Sequence, residues 1–498
     1  QTVTYIVATT GAGQAHTEAA ILLTADGIRS SPATHQQKLS APVMLGSSGG
    51  NVSDFDANGA TVVDCCSGTL GALVQDGAGR RYVLSNNHVL ARSDRATAGD
   101  AIVQPGLIDN NCTPNGAAPV GRLSAWLPLN AAETNVDAAL AEVDARAVEA
   151  GILELGARQA DGRLSAAMPG TSSSGGKGVA ASLQMHVAKS GRTTGLTCGA
   201  VSAVDVDVAV DYFKDCAETR PYLTKHFTHQ IAVSGNRFSD SGDSGALLVA
   251  AESAEPVGLY FAGGLDTAGV SQAMANPAPE VLNELETRLS GGLTFAGGAD
   301  HTVSCLSYGD STAAAAQARA LSNAEIARVQ AALAAARKMV NPAQGVLGVA
   351  MGKSTDHAGE AAVLVYVRRD AQPAIASTID GVRTVIVPTT EQAMQFGAAP
   401  KSPALDAAPS SGTLAQAVAA KNRLARGLMQ REPAFFAVGV GQSLDNPREA
   451  ALVVYVDRWH EPESLPATMG GLRTRYVLMD RLHVTRGYGL QQRCVGKF

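Results

Sequence analysis

Three side chains in the first half of the chain could together carry out nucleophilic chemistry. His88 follows two asparagines at the end of the apolar run RRYVLSNNHVL, and Asp137 precedes the apolar run of NVDAALAEV. Ser244 lies in the glycine-rich stretch SDSGDSGALLVA. A serine hydroxyl is a poor nucleophile at neutral pH, and a histidine base oriented by a carboxylate activates it. The three residues therefore predict acyl transfer.

Each of these residues has an ordinary structural explanation when it is taken alone. A histidine can be satisfied at a strand end, and an aspartate before a strand or a GDSG tetrapeptide commonly forms a turn. The order His, Asp, Ser and the position of each residue beside a strand-like run are more specific. The combination, rather than any single motif, predicts a site.

The region that contains these residues has the pattern of an all-β domain. Short apolar runs such as TLGALVQ, HQIAV and ALLVAA are separated by turn signals such as DGAG. Many short strands interrupted by glycine and proline indicate a barrel or a sandwich. The region ends in APEVLNELETRL, whose apolar residues have helical spacing.

Five segments of this region resemble the chymotrypsin/trypsin-like serine peptidase family. They are YVLSNNHVL, NVDAALAEV, SGRTTGLTCGAV, SGDSGALL and GLYFAGG. The similarity is greatest to the bacterial branch, in which LSNNHVL replaces the Ala-Ala-His form. The resemblance implies a mainly β protease domain made of two six-stranded antiparallel β-barrels. It also implies a secreted serine endopeptidase that works through an acyl-enzyme intermediate and needs no cofactor or metal.

The resemblance also implies a role for each residue of the site. His88 would be the general base and then the general acid, Asp137 would orient it, and Ser244 would be the nucleophile. The backbone N–H groups of Gly242 and Ser244 would form the oxyanion hole. The carboxylate of Asp243 would turn inward and hold the loop.

A peptide substrate is expected to add as an extra strand along LYFAGG. Trypsin-like specificity is not expected, because the position six residues before Ser244 holds a phenylalanine where trypsin has an aspartate. Arg237 and His229 are nearby basic groups that could favour an acidic substrate residue, although surface charges are the commoner explanation. The expected substrate-binding residues are Phe238, Phe261, Ala262, Gly263 and Gly264.

The last third of the chain has a different character and repeats itself. A helical stretch with Ser322 as a candidate N-cap and Glu325 three residues later precedes the strand-like runs GVLGVAMG, EAAVLVYVRR and GVRTVIVPT. The same order returns in LAQAVAAKNRLARGLMQ, FFAVGVGQS, EAALVVYV and GGLRTRYVL. We interpret this as a duplicated small α+β module whose VYV strands are central in their sheets.

The repeats contain no second triad and no metal-ligand spacing. They are therefore expected to bind a protein partner or to regulate the protease by covering its groove. The predicted divisions are an N-terminal segment at 1–44, the protease domain at 45–292, a linker at 293–312, repeat 1 at 313–390, a linker at 391–411 and repeat 2 at 412–498.

Composition excludes several other classes of protein. The 498 residues are 45% hydrophobic and 17% charged, which permits sizeable cores and argues against general disorder. The net charge of −6 and the lack of a basic block give no reason to expect a nucleic-acid or membrane-surface partner. The sequence has no run of about 18 apolar residues, so it does not predict a transmembrane helix. A polypeptide substrate is the expected partner.

The seven cysteines favour disulfides over metal binding, since none forms a CxxC pair or has a histidine at zinc spacing. The spacings allow Cys198 to pair with Cys216, Cys112 with Cys65 or Cys66, and Cys305 with Cys494, while buried free thiols are the alternative. Disulfides require an oxidising compartment. The chain also begins at Gln1 without a methionine, so removal of a signal peptide and a secreted or periplasmic location are expected.

Two other functions remain compatible with the same residues. An esterase-type acyl hydrolase could use the same triad, although strand pairing along residues 259–264 speaks against it. A binding or scaffold protein could carry a protease domain that is catalytically idle.

Overall fold

In the computed structural model of the chain, β-strands are the predominant regular structure. The described residues are 22–23, 29–30, 32–58, 61–144, 146–214, 220–289, 291–305, 322–390, 408–484 and 496–497. No helix among them is long and apolar enough to span a membrane.

The first half of the chain forms a six-stranded antiparallel barrel. Its elements are β1 (Leu22–Leu23), β2 (Arg29–Ser30), helix α1 (Pro32–Gln36), β3 (Val43–Leu45), β4 (Ser47–Asn51), β5 (Phe55–Asn58), β6 (Thr61–Cys65), β7 (Gly68–Leu70), β8 (Ala72–Asp76), β9 (Arg81–Ser85), helix α2 (Asn87–Leu90), β10 (Ala101–Gln104), a 3₁₀ turn (Leu107–Asn110), β11 (Ala118–Trp126), β12 (Ala139–Val143) and β13 (Val148–Ile152). The barrel strands follow the order β8-β9-β12-β11-β10-β4-β7. Strands β7 and β8 are two halves of one strand interrupted only at Gly71, so six strands close the ring.

A second six-stranded antiparallel barrel follows. Its strands are β14 (His186–Gly191), β15 (Gly195–Phe213), β16 (Pro221–Gly235), β17 (Leu247–Ala250), β18 (Pro256–Leu265) and β19 (Ser271–Pro277). The order β14-β17-β18-β19-β16-β15 is closed by pairing between β14 and β15. Helix α3 (Ala278–Glu286) leads into β20 (Leu293–Phe295), which pairs with β8 of the first barrel. The expectation of two six-stranded barrels is confirmed.

The two barrels share one apolar core. The cluster includes Leu84 and Leu140 from the first barrel and Leu247 and Leu259 from the second, all nearly or fully buried. Each fully buried leucine contributes about 1.5–3 kcal/mol to folding. The loops that meet between the barrels are therefore held on two packed supports.

Two further units follow the barrels with the same order of elements. The first contains α4 (Asn323–Ala336), 3₁₀ turns at Arg337–Met339 and Pro342–Gln344, β21 (Val346–Lys353), β22 (Ala361–Arg368), β23 (Thr378–Ile379) and β24 (Val382–Thr389). The second contains α5 (Ser411–Arg431), β25 (Phe435–Gln442), β26 (Ala450–Asp457), β27 (Thr468–Met469) and β28 (Leu472–Met479), and β29 (Gly496–Lys497) pairs with β6. The predicted VYV strands, β22 and β26, are central in their sheets. Ser322 and Glu325 form the expected capping box.

Repeat 2 continues the sheet of the second barrel. Strand β25 pairs antiparallel with β15, with Ala203 opposite Gly441 and Val208 opposite Ala437. Close approach is possible because Gly441 has no side chain; a Cβ built there would lie 2.7 Å from a β15 carbonyl oxygen. Ten strands thus form one sheet that runs from the barrel into the repeat.

Two disulfides lie in the described part of the chain, Cys65–Cys112 and Cys198–Cys305. The first is one of the two pairings that the spacing allowed for Cys112. The suggested Cys198–Cys216 and Cys305–Cys494 pairings are wrong, because the segment after β20 returns to β15 and brings Cys305 beside Cys198. Cys216 and Cys494 lie outside the described residues.

The two repeats meet through a pair of buried carboxylates. Asp356 accepts hydrogen bonds from the Ser443 hydroxyl and the Leu444 N–H, and Asp445 accepts one from the Ser354 hydroxyl at 2.6 Å. Burial and the neighbouring charge of Asp445 raise the pKa of Asp356 to about 6. At a pH between the two pKa values of Asp356, the folded state therefore keeps a proton on this carboxyl group that the unfolded chain has released.

Asp445→Asn is expected to change how stability depends on pH. Because the raised pKa of Asp356 stabilises the folded state below pH 6, the wild type gains about 1 kcal/mol from this pair between pH 8 and pH 5. The variant is expected to lose the part of that gain that comes from the charge of Asp445, whereas the larger part, which comes from burial, remains. Urea unfolding at pH 5 and pH 8 measures the difference, with the exposed Asp380→Asn as the control. Equal pH dependence in the variant and the wild type would contradict the prediction.

Candidate functional site

The structure brings His88 and Asp137 into direct contact. Ala139 of β12 lies opposite Ser85 of β9. Asp137, two residues before Ala139, therefore comes beside the helical turn that follows β9 and carries His88. The Nδ1 atom of His88 lies 2.6 Å from Oδ2 of Asp137, and the His88 backbone N–H donates to Oδ1 at 3.3 Å. Since an ionised carboxylate can only accept, Nδ1 carries the proton and Nε2 has the free lone pair.

Asp137 is fully buried and is held by three further hydrogen bonds. The Asn86 amide donates to the Asp137 carbonyl at 2.7 Å, and the Asp137 N–H donates to Asn276 at 3.0 Å. The Tyr212 hydroxyl donates to Oδ2 at 2.8 Å. Sequence reasoning missed both Asn276 and Tyr212, because each lies in a strand-like run with nothing to mark it as part of a site.

Ser244 lies on the loop between β16 and β17 and faces the same region. Its carbonyl oxygen accepts a hydrogen bond from the Thr69 N–H at 2.9 Å. A Cβ built on Gly68 would lie 2.9 Å from that oxygen and 2.5 Å from the side chain of Val89, the residue after His88. The serine loop and the histidine turn therefore both pack against Gly68 so closely that a methyl group would not fit there.

The proton acceptor that the serine would need is buried and available. Nε2 of His88 has no hydrogen-bond partner among the described residues, and no hydrogen bond links it there to Ser244. His88 is 2% exposed and Ser244 is 7% exposed. A hydrogen bond between nucleophile and base is often long before substrate binds. The structure therefore offers a buried, oriented base, and the backbone of the serine loop lies close to the turn that carries this base.

The loop that carries Ser244 adopts a conformation that requires glycine. Gly242 and Gly245 both have φ of +92°, in the region that other residues rarely occupy. A Cβ on Gly242 would lie 2.6 Å from Arg192 and from Thr193. In the part of the chain that is described, the N–H groups of Gly242 and Ser244 donate no hydrogen bond. Two unused donors on either side of one residue, as here around Asp243, can bind an anionic oxygen.

The carboxylate of Asp243 turns inward, as the resemblance implies, and braces this loop. Its Oδ1 accepts the N–H groups of Thr193 at 2.8 Å and Thr194 at 3.1 Å. Its Oδ2 accepts the Asp240 N–H at 3.0 Å and lies 3.2 Å from the Nζ atom of Lys189. Asp243 and Lys189 are both fully buried.

Lys189 is a functional candidate that sequence reasoning missed. Burial lowers the pKa of its ammonium group, and the nearby charge of Asp243 opposes that effect. The signal in the sequence was a lysine within the strand-like run MHVAKSG. A buried lysine needs a partner, so the position pointed to an unseen carboxylate.

The expected substrate-binding residues divide into two groups. Phe238 and Phe261 have no exposed surface. Phe238 packs in the core of the second barrel, and the ring centroid of Phe261 lies 5.0 Å from that of Phe227. They do not offer a contact surface in this structure, which corrects the expectation for both. Ala262 is also nearly buried, whereas Gly263 and Gly264 are half-buried.

The edge of β18 near Gly264 is approached by repeat 2. The Thr267 N–H donates to the Leu478 carbonyl at 3.0 Å, and Asp266 bridges to Met479. A Cβ on Gly264 would lie 3.1 Å from the end of the Met479 side chain. The strand predicted to receive a peptide is thus bounded at one end by residues of the repeat.

The two basic residues that could favour an acidic substrate are exposed. His229 is ion-paired with Asp205, and Arg237 lies on the surface. Their positions match ordinary surface charges.

Other candidate sites in the described chain do not coincide with this cluster. A cavity of about 600 Å³ lies against the first barrel and is lined by residues that include Arg81, Glu149 and Phe295, but not by His88, Asp137 or Ser244. Within the described ranges no group of three or more His, Cys, Asp or Glu residues could hold a metal ion.

Gly71→Ala is expected to disturb the serine loop from the opposite barrel. A Cβ at this position would lie 1.9 Å from the Gly245 carbonyl oxygen, so the loop must move. Overpacking of this kind costs about 1–3 kcal/mol of unfolding free energy. The temperature of thermal unfolding and the extent of labelling by a serine-reactive fluorophosphonate should both fall. Gly77→Ala is the control, since nothing lies within 4 Å of a Cβ there. A variant with wild-type labelling would contradict the prediction.

Comparison with known proteins yields similarity to solved structures alone. No protein-family model matches the sequence, and the search of curated proteins found no match. A glutamic-acid-specific serine protease that uses a histidine triad in substrate binding shares 17% identity at a TM-score of 0.33, covering 51% of this chain and 100% of that one. Nocardiopsis protease shares 15% at 0.29, covering 46% and 93%. Thermobifida fusca Protease A shares 13% at 0.30, covering 47% and 93%. Similarities at TM-scores this low carry no argument about this chain.

Proposed function

We propose that the chain is a serine endopeptidase that hydrolyses peptide bonds with His88, Asp137 and Ser244. The observation that carries the proposal is the buried hydrogen bond from His88 to Asp137, which fixes the proton on Nδ1 and leaves Nε2 to accept another. The neighbouring loop presents Ser244 together with two unused N–H donors.

The mechanism follows from these positions. The Oγ atom of Ser244 attacks the peptide carbonyl carbon while Nε2 of His88 takes its proton. The resulting oxyanion is stabilised by the N–H groups of Gly242 and Ser244, and each such donor is worth about 3 kcal/mol in the transition state. His88 then gives its proton to the leaving amine, and water repeats the sequence to release the acid. Asp137 remains ionised and stabilises the imidazolium.

The location and partners form part of the same proposal. We propose a secreted or periplasmic protein, because two disulfides in the described chain require an oxidising compartment. The half-buried glycines at the open edge of β18 suit a polypeptide that pairs as an extra strand, which favours a peptidase over an esterase.

A second candidate function is an idle or latent protease that acts as a binding protein. The low exposure of His88 and Ser244 favours it, since a substrate must reach both. In this case the repeats would keep the groove covered.

Labelling with a fluorophosphonate separates these candidates. The wild type is expected to be labelled and Ser244→Ala to remain unlabelled, because the probe reacts with an activated serine. Absence of label on the wild type would overturn both enzyme readings and leave the binding protein. A peptide-library digest with untreated enzyme from a preparation that takes the label then tests peptidase against esterase: cleavage of esters without cleavage of any peptide would refute the peptidase.

A further inference from the structure

The most informative contact outside the three site residues is the one that Tyr212 makes. Its hydroxyl donates to Oδ2 of Asp137 at 2.8 Å, and the same oxygen accepts Nδ1 of His88. Tyr212 has no exposed surface, and its ring meets the His88 imidazole edge-on with centroids 6.2 Å apart. The hydroxyl remains a donor, since burial and the charge of Asp137 raise its pKa well above the usual value.

Tyr212 comes from the end of the long β15–β16 hairpin. Strand β15 extends to Phe213, and Tyr212 is paired with Leu223 on β16. Its ring lies 6.2 Å from Phe227 and belongs to an apolar cluster that contains Phe261 of β18 and Tyr455 of β26. The hairpin therefore carries a polar group to the site from the side on which repeat 2 packs.

Repeat 2 contacts the residues on both sides of Tyr212. The Asp211 N–H donates to the Leu482 carbonyl at 3.1 Å, and the Val484 N–H donates to the Asp211 carbonyl at 3.0 Å. On the other side, the Phe213 ring meets His483 with centroids 6.3 Å apart. Leu482 and Val484 are buried in the same apolar cluster as the tyrosine.

Helix α5 adds an electrostatic link to the same hairpin. The Nζ atom of Lys421 lies 2.6 Å from Asp207 and 3.3 Å from Asp205, both on β15. The lysine side chain is fully buried, so separating the helix from the hairpin would leave an unpaired charge. The hairpin and the repeat are therefore expected to move as one unit.

We propose that Tyr212 is a positioning residue for the reaction and that repeat 2, by holding the hairpin, keeps its hydroxyl on Asp137. The inference rests on the proposed function. Through Asp137 the tyrosine fixes the imidazole orientation, and its hydrogen bond stabilises the negative charge of the carboxylate. The repeat would thereby be an internal part of the catalytic domain.

Tyr212→Phe tests the proposal with little change in shape. We expect kcat to fall about tenfold with KM changed less than about twofold, because the lost bond orients a group that acts in the transition state. The acidic limb of the kcat/KM profile should move to higher pH, since a carboxylate that loses a donor holds the imidazolium more strongly. The other ionisable groups that act on the hydroxyl are Tyr222 and Asp94, and both are unchanged.

The control is Tyr455→Phe, which removes a buried hydroxyl from the same cluster without touching Asp137. It should behave as the wild type. A Tyr212→Phe enzyme with unchanged kcat, or with lower kcat and an unmoved acidic limb, overturns the proposal. The downfield proton resonance of His88 Nδ1–H provides a readout that does not need catalysis. If the wild type resists fluorophosphonate, the proposed function fails, and an unmoved resonance in Tyr212→Phe would separately refute the positioning role.

The part played by the repeat is tested by Leu482→Ala. This truncation loosens the segment beside Asp211 and should lower kcat in the wild-type background. In the Tyr212→Phe background it should have little further effect on kcat, because both changes act through one hydroxyl. Additive losses in the double variant would overturn the proposed route through Tyr212.

Discussion

His88→Ala is expected to lower kcat for peptide hydrolysis about 10⁶-fold, and to cost almost nothing more once Ser244 is already alanine. The two residues act in one step, because the serine proton has to pass to Nε2 as the oxygen attacks. In the structure that nitrogen is buried and has no partner in the described chain, so its loss leaves no alternative base.

The measurement is kcat and KM for a peptide substrate in four forms: wild type, His88→Ala, Ser244→Ala and the double variant. KM should change little, since neither side chain is needed to pair with the substrate backbone. His186→Ala is the control, because His186 is exposed on β14. If the effects of the two variants multiplied, His88 and Ser244 would not act as a unit, and the proposed mechanism would be wrong.

Lys189→Met is expected to disable the site without touching any group that reacts. The substitution leaves the carboxylate of Asp243 fully buried without its cation, and breaking such a pair costs about 3–5 kcal/mol of unfolding free energy. Because Asp243 also accepts the N–H groups of Thr193 and Thr194, its movement should displace the loop that presents Ser244. Fluorophosphonate labelling is expected to be lost even where the protein remains folded.

Urea unfolding and labelling at a temperature where the variant is folded separate the two effects. Lys177→Met is the matched control, because its ion pair with Glu286 is partly exposed and should be worth less than about 1 kcal/mol. A Lys189→Met variant with wild-type labelling would show that the loop does not depend on the buried pair.

The sequence predicted the parts of the site that have a fixed local pattern. His88 and Ser244 each lie in a short motif next to an apolar strand, and the order of the motifs with Asp137 suggested that they would meet. The structure shows the His88–Asp137 contact directly. The pattern of short strands indicated a barrel or a sandwich, and the family resemblance implied the two barrels that the structure contains. These features depend on neighbours along the chain.

The remaining parts of the site depend on contacts between distant segments. Tyr212 is 75 residues from Asp137 and lies in an alternating run that reads as an ordinary strand. The Lys189 partner is 54 residues away, and nothing near the lysine identifies it. Phe238 was predicted from its distance from Ser244 and Phe261 from its place in LYFAGG, but the packing of the second barrel buries both. Register and packing cannot be read from local pattern.

The sheet that joins the second barrel to repeat 2 has a consequence for biosynthesis. Strand β15 ends at residue 213, whereas its partner β25 begins at residue 435, so more than 200 residues must be made before the edge is covered. Until then β15 presents an unpaired apolar edge, which is a site for wrong association. Tyr212 also lacks its support from residues 482–484 until those residues have been made. The contacts that hold the backbone beside Tyr212 therefore form only after repeat 2 has been made.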